Sequence, residues 1–179
     1  MSTIRESTLS IRPAGAEDMP PVAAIFAHYV METVISFELD TPSVADWSGK
    51  RSDLEASGLP FLVAVVDGHV IGYAYVAPWR HKPAYRRTVE STIYLAPGHT
   101  GLGYGQRLLT ELLRSARDAG ARQVIAVIAD TGSPASVALH RRRGFREVGR
   151  LCDVGFKAEQ WLDVVMMQAS LAGLPLPLP

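Results

Sequence analysis

Apolar residues recur along this chain with two periods, and the switches between them mark out its elements. Residues 9–12 alternate apolar and polar, as a strand does, and Pro13 closes the run. A helix is predicted from Ala16-Glu-Asp onward, because Val22, Ile25, Phe26 and Tyr29 recur at helical spacing. A second, more polar helix over about 44–56 follows Pro42 and Ser43. Residues 61–66 and 70–76 are strand-like runs joined at Asp67-Gly68, a dipeptide that tolerates the positive φ angles of a tight hairpin turn. Residues 87–95 form another strand, and a helix over about 103–119 stops at Gly120. Residues 124–129 are apolar throughout, as expected of a strand covered on both faces. A short helix opens at Ser133-Pro-Ala-Ser, carries Val137 and His140, and ends at Gly144. Residues 145–151 and 161–167 supply the last strands. The final Gly173-Leu-Pro-Leu-Pro-Leu-Pro cannot be helical, because its prolines lack N–H donors. With no repeat and no linker, the pattern predicts one mixed α/β domain over 8–170 and a Pro-rich tail over 171–179.

The junction between strand 87–95 and the following helix carries the sharpest chemical signal. Gly101, Gly103 and Gly105 remove side chains from the turn, so backbone N–H groups can approach a ligand closely. The helix that begins there offers unpaired N–H donors and the positive end of its dipole to the same point. Such a place suits a phosphate or pyrophosphate. It is not a Walker A loop, because Gln106 and Arg107 follow Gly105 where Lys and Ser/Thr would be required. Nor is it a Rossmann fingerprint, since the spacing is G-x-G-x-G and lies past the middle of the chain. A tight connection that binds nothing is the plain alternative, but one turn does not need three alternating glycines.

Composition narrows the partners. The 179 residues suit one domain with a sizeable core. Lys plus Arg and Asp plus Glu each number 18, so no net charge draws the chain to nucleic acid or an anionic membrane. No apolar run approaches the ~20 residues of a transmembrane helix. The N-terminal Met-Ser-Thr-Ile-Arg-Glu-Ser-Thr lacks a signal peptide's apolar core. Cys152 is the only cysteine, and the five histidines show no ligand spacing, so no disulfide and no metal are expected. These features predict a cytoplasmic protein.

The order of strand, glycine turn, long helix, strand and short helix ending Gly144-Phe145 resembles the GNAT superfamily of N-acetyltransferases. That family's Gln/Arg-x-x-Gly-x-Gly/Ala motif falls on Thr100-Gly101-Leu102-Gly103-Tyr104-Gly105, with Thr100 where Arg or Gln is usual. Within the superfamily the chain is similar, over nearly its whole length, to the phosphinothricin and methionine sulfoximine acetyltransferases. The matching segments include Arg12-Pro-Ala with Glu17-Asp-Met-Pro, Gly72-Tyr-Ala-Tyr, Pro78-Trp79, Ala84-Tyr85, Glu90-Ser-Thr-Ile-Tyr-Leu, Val137-Ala-Leu-His140 and Gly155-Phe-Lys157. The resemblance implies a GNAT fold, a single domain with a mixed, mostly antiparallel central sheet flanked by helices. It also implies transfer of acetyl from acetyl-CoA to the α-amine of a small amino-acid-like acceptor, and a homodimer. The apolar segment Val164-Val-Met-Met167 and the Pro-rich tail are the expected contact surface.

Acetyl transfer to an amine needs a base for the ammonium proton, donors for the oxyanion, and a proton for the departing thiolate. Glu90 is the expected base; by the period of two it shares a face with Arg86 and Thr88, while a solvated charge or an ion pair with Arg86 is the plain alternative. His140 stands where many family members have a tyrosine, and is the expected proton donor to the thiolate. A structural histidine is its alternative. The resemblance assigns cofactor contacts to Ile93, Tyr94 and Leu95, to Gly101, Leu102, Gly103, Tyr104, Gly105 and Gln106, and to Ser133 and Ser136; Ser133 replaces the usual Asn. Trp79, Arg80, Tyr85, Arg86 and Thr88 are the expected acceptor contacts, since Arg suits a carboxylate, and Phe37 is expected to close the pocket. Arg87 stands in place of a common aromatic. Two other functions stay open: a GNAT enzyme acting on a protein N-terminus, a polyamine or an aminoglycoside, and a CoA-binding module without catalysis.

Overall fold

The computed structural model describes residues 8–172, so the proline-rich segment 173–179 lies outside the described residues. Seven strands form one sheet in the order β1-β2-β3-β4-β5-β7-β6. They are β1 (Leu9–Pro13), β2 (Phe61–Val66), β3 (His69–Pro78), β4 (Thr88–Leu95), β5 (Gln123–Ala129), β6 (Arg146–Lys157) and β7 (Gln160–Ser170). Every neighbouring pair is antiparallel except β4 and β5. Four helices, α1 (Met19–Glu32), α2 (Val44–Ala56), α3 (Tyr104–Asp118) and α4 (Ala135–Arg141), complete the α/β domain.

Strand alternation sorts side chains into two cores, one on each face of the sheet. Leu62 and Ala64 of β2 join Leu108, Leu109, Leu112 and Leu113 of α3 on one face. Phe61 and Val63 join Val22, Ile25 and Phe26 of α1 and Trp47 of α2 on the other. Because helices cover both faces, β2 reads as an unbroken apolar run although its neighbours are antiparallel. The α1/α2 face is strongly aromatic: the Trp47 ring lies 5.4 Å from Phe26 and 5.2 Å from Tyr73 in edge-on contacts.

The Arg12-Pro-Ala and Glu17-Asp-Met segments owe their pattern to an ion pair. Arg12 grips the buried Asp18 carboxylate at 2.6 and 2.9 Å, and the Gly15 N–H donates to it at 2.7 Å. Burial alone would raise the Asp18 pKa, but those partners outweigh it and hold the carboxyl below its ordinary value. The chain is thereby fixed where it passes from β1 into α1.

The last hairpin departs most from the sequence pattern. β6 runs to Lys157, six residues beyond the expected end, and its pairing with β7 shifts between Glu147 and Gly149 and between Leu151 and Gly155. These irregularities break the alternation that would reveal the strand. The turn beyond β6 places Ala158 and Glu159 at φ of 52° and 59°, a left-handed pair without the usual Asn or Gly. β7 also runs from Gln160 to Ser170, beyond the expected 161–167.

The hairpin corrects the expected contact surface as well. β7 lies between β5 and β6, and Val164, Val165 and Met167 are buried within the sheet's own packing. The exposed apolar residues at this edge are instead Val148, Leu151, Val154 and Phe156 of β6, with Trp161 of β7.

Candidate active site

The site begins where two parallel strands separate. β4 and β5 pair only through Thr88–Gln123, Val89–Val124 and Glu90–Ile125, yet β4 continues to Leu95 and β5 to Ala129. On its other side β4 stays paired with β3 throughout. The Trp79 N–H donates to Thr88 O and the Ala96 N–H to Ile71 O, which sets the phase of that ladder. Alternation then turns the Glu90, Thr92 and Tyr94 backbone groups toward β3 and those of Ile93 toward the gap left by β5. An open fork is therefore built into the sheet, and of residues 93–95 it is Ile93 whose main chain faces it, since Tyr94 is turned toward β3 and the Leu95 carbonyl accepts from the Tyr29 hydroxyl at 2.6 Å.

The glycine turn lies at the open end of the fork, and two of its three glycines have a conformational reason to be there. Gly101 and Gly103 adopt φ of 78° and 83°, in the left-handed region that other residues enter only with strain. Gly103 is also the N-cap of α3, a helix with no acidic residue in its first turn to compete with an anion. Gly105 is buried, and a Cβ there would rest in ordinary contact at 3.5 Å from both Leu95 and Leu139, so neither packing nor backbone conformation demands glycine at this position. A cleft of about 500 Å³ is lined by Gly101, Gly103, Gly105, Gln106, Leu95 and Arg142. Arg142 was not singled out from the sequence; its only signal is the run Arg141-Arg142-Arg143. Arg143 supports the turn from behind, donating to Gln106 Oε1 at 3.0 Å.

A second cleft of about 340 Å³ occupies the fork itself. Glu90, Ile93, Tyr94, Phe37, Ser133, Ser136 and His140 all line it. Ile35, Ile93, Tyr94, Ala135 and Ser136 belong to both linings, so the two clefts meet. A ligand with its phosphates on the glycine turn can thus extend along the fork toward Glu90.

Glu90 is half-buried and carries a perturbed acidity. Burial pushes its carboxyl above the ordinary carboxylate range; Arg80 and then Lys50 draw it part of the way back. Lys50 was missed by sequence reasoning. It reaches the site from α2, donates to the Tyr75 hydroxyl at 3.2 Å, and lies over the Tyr75 and Trp47 rings. Arg86 is not among the charges acting on Glu90. Because β4 begins at Thr88, Arg86 sits in the loop after the short 3-10 turn Pro83–Tyr85, where its guanidinium donates to Pro83 O at 3.4 Å. The shared strand face therefore includes Thr88 and excludes Arg86.

His140 is almost fully buried on α4. Its Nδ1 lies 2.8 Å from the Ser136 carbonyl oxygen, and that oxygen can only accept, so Nδ1 carries the proton. Burial holds the imidazole pKa below its ordinary value, with the Ser136 bond acting the other way. The ring thus rests neutral, with Nε2 as an acceptor. The expected donor role would therefore require protonation at Nε2, which burial disfavours.

The remaining predicted residues are more scattered. Arg80 stacks 4.9 Å from the centre of the half-buried Trp79 ring, while Tyr85 and Arg86 are exposed. None of Trp79, Arg80, Tyr85, Arg86 and Thr88 lines either cleft, nor do Leu102 and Tyr104. Ser133 lines the fork cleft while its hydroxyl faces the Ala135 N–H at 3.4 Å, at the opening of α4.

Comparison with known proteins agrees with this architecture. Residues 23–145 match the Acetyltransferase (GNAT) family. A phosphinothricin N-acetyltransferase of Alcaligenes faecalis is 39% identical over 162 residues, which cover 90% of this chain and 82% of that protein. An L-methionine sulfoximine/L-methionine sulfone acetyltransferase of Pseudomonas aeruginosa is 36% identical, covering 90% of this chain and 94% of its own. Among solved structures, a GNAT superfamily phosphinothricin acetyltransferase of Sinorhizobium meliloti, in complex with acetyl-CoA, superposes with a TM-score of 0.88 at 39% identity over 96% of this chain and 93% of that one. A fork between parallel strands, a glycine turn at its mouth and a carboxylate inside it are thus found in a chain that belongs to the GNAT acetyltransferase family.

Proposed function

We propose that this protein transfers acetyl from acetyl-CoA to the α-amino group of a small amino-acid-like acceptor such as phosphinothricin, methionine sulfoximine or methionine sulfone. The observation that carries this reading is the meeting of the two clefts, one built for phosphate and the other holding Glu90 and His140. The turn around Gly101 and Gly103, the α3 N-terminus and Arg142 would hold the pyrophosphate; Ile93 would pair its main chain with the cofactor's amide-bearing arm. Acetyl-CoA supplies the acetyl group as a thioester.

Glu90 takes the proton of the α-ammonium, directly or through a water. Its raised pKa makes it a better acceptor than an ordinary carboxylate. The Ile93 N–H faces the fork and is placed to donate to the developing oxyanion. His140 rests neutral, so it becomes a donor only after taking up a proton at Nε2 during turnover; its place is a relay toward the departing sulfur. Lys50 and Arg80 set two cations beside Glu90, an arrangement that attracts an acceptor carboxylate or phosphinate and repels a polyamine. Thiol release from acetyl-CoA, followed across amino acids and their sulfone, sulfoximine and phosphinate analogues, tests the reading. Turnover confined to polyamines or peptide N-termini would overturn it, and so would the absence of turnover with every amine.

We further propose a homodimer formed through the exposed apolar edge of β6 and Trp161, with light scattering to give twice the 19.4 kDa chain mass. No helix among the described residues is long and apolar enough to cross a membrane. With its one cysteine exposed and unpaired, the chain suits a reducing compartment, and a cytoplasmic location forms part of the proposal.

A further inference from the structure

One wall of the fork cleft has no regular structure. Ile35, Ser36 and Phe37 line it from the loop between α1 and α2, the only lining residues among the described residues of the N-terminal third of the chain. A loop that shapes a pocket needs an anchor. This one is held from the distant last hairpin. Lys157, the final residue of β6, donates from Nζ to the Ser36 carbonyl at 2.8 Å and to the Glu38 carbonyl at 3.0 Å. Between those carbonyls the Phe37 ring lies flush against Gly155, so close that any Cβ there would collide with it. Ser36 itself is buried; its hydroxyl accepts from the Glu38 N–H at 3.2 Å and is hydrogen-bonded with the Tyr94 hydroxyl.

We propose that Lys157 is a positioning residue of the acceptor site, which clamps the loop 33–43 onto β6 and so fixes Phe37 as a wall of the acceptor pocket. The Gly155-Phe-Lys157 segment then has a two-part purpose. Gly155 leaves room for the ring, and Lys157 satisfies two carbonyls that the loop cannot pair internally. An ammonium suits the task because its three donors can serve two acceptors from one point. The clamp bonds neither the glycine turn nor the fork backbone, and of residues 35–37 only Ile35 also reaches the cleft beside that turn, so loss of the clamp should disturb the acceptor far more than the cofactor. This inference rests on the acceptor assignment above, and its test includes a readout that does not.

The test pairs hydrogen exchange of the free protein with steady-state kinetics. Lys157→Met keeps the apolar stem and removes the donors; Lys157→Arg retains donors. In Lys157→Met, exchange across 33–43 should rise by about tenfold or more while β2 and β3 stay protected, as expected when two charge-assisted bonds are lost. The acceptor KM should rise by about tenfold with the acetyl-CoA KM unchanged within about twofold, and Lys157→Arg should recover most of the loss. If Lys157→Met does not fold, Gly155→Ala replaces it, because its Cβ displaces the Phe37 ring. Unchanged exchange across 33–43 would overturn the clamp, as would acceptor and acetyl-CoA KM values rising together. Should the wild type acetylate none of the acceptors, the functional reading fails, and the exchange result still decides the clamp.

Discussion

At the end of the cleft proposed for the cofactor, the groups on offer are main-chain amides from one short stretch of chain, from the fork backbone at Ile93 to the turn at Gly101 and Gly103. At the end proposed for the acceptor they are side chains brought from distant places: Glu90 on β4, Lys50 on α2, Arg80 after β3, and Phe37 on a loop bonded to Lys157 of β6. A phosphate needs several N–H donors at one point, which a short turn and a helix N-terminus provide. An amino acid needs a base and charges at separate points, and no single segment provides those. The backbone site should therefore be sensitive to conformation and tolerant of side-chain changes, and the side-chain site the reverse.

The largest expected effect lies at the acceptor end. Glu90→Gln should lower turnover by roughly 10²- to 10⁴-fold while calorimetry finds acetyl-CoA affinity unchanged, because the carboxylate serves the acceptor. Loss of fold would not explain that result. Burial raises the folded pKa of Glu90 above its unfolded value, so its stabilising contribution is full below the unfolded pKa and lost as pH rises through the folded one. Removing the charge should thus leave the neutral-pH melting temperature equal or higher.

Next comes the opposite case. Gly103→Val forces a branched residue to φ of 83° and should weaken acetyl-CoA by about 10- to 100-fold with the acceptor KM little changed, given a left-handed strain of roughly 1–2 kcal/mol plus lost approach. Unchanged affinity in a folded variant would remove the turn from the site. A smaller effect, about tenfold on turnover, is expected for His140→Ala, since relay through water remains possible. Raising the pH should rescue Glu90→Gln in part, by supplying neutral amine, and should not rescue His140→Ala. The smallest expected change is at Lys50. Lys50→Met should raise the KM for phosphinothricin by about two- to fivefold, the range of a solvent-screened charge. It should also move the acid limb of the rate profile to higher pH, because Lys50 lowers the Glu90 pKa. An unmoved limb would separate Lys50 from Glu90.

The same contrast explains what the sequence could reveal. The turn from Gly101 to Gln106 is local, so its spacing exposed its shape. Glu90 and His140 stood out through the family resemblance, with strand phase adding only that Glu90 shares a face with Thr88, and the structure places both on one cleft. Lys50 was not, because its position depends on how α2 packs over the β3 tyrosines. Arg86 was misplaced by a single residue of strand boundary, which alternation cannot fix when Arg87 precedes a strand that starts at Thr88. The protonation of His140 also needed coordinates, since the Ser136 carbonyl selects the tautomer. Val164-Val-Met-Met167 was expected to be contact surface, because an apolar run does not show whether another strand of the same sheet lies outside it, and here β6 does.

The most direct test is the pH dependence of kcat/KM for methionine sulfone, compared between the wild type and Glu90→Gln at saturating acetyl-CoA. The wild type should show an acid limb from a carboxyl titrating above its ordinary range. In Glu90→Gln that limb should vanish, leaving a slow rate that climbs only as the amine itself loses its proton. An acid limb that survives unchanged in Glu90→Gln would show that another group takes the proton and that Glu90 is not the base.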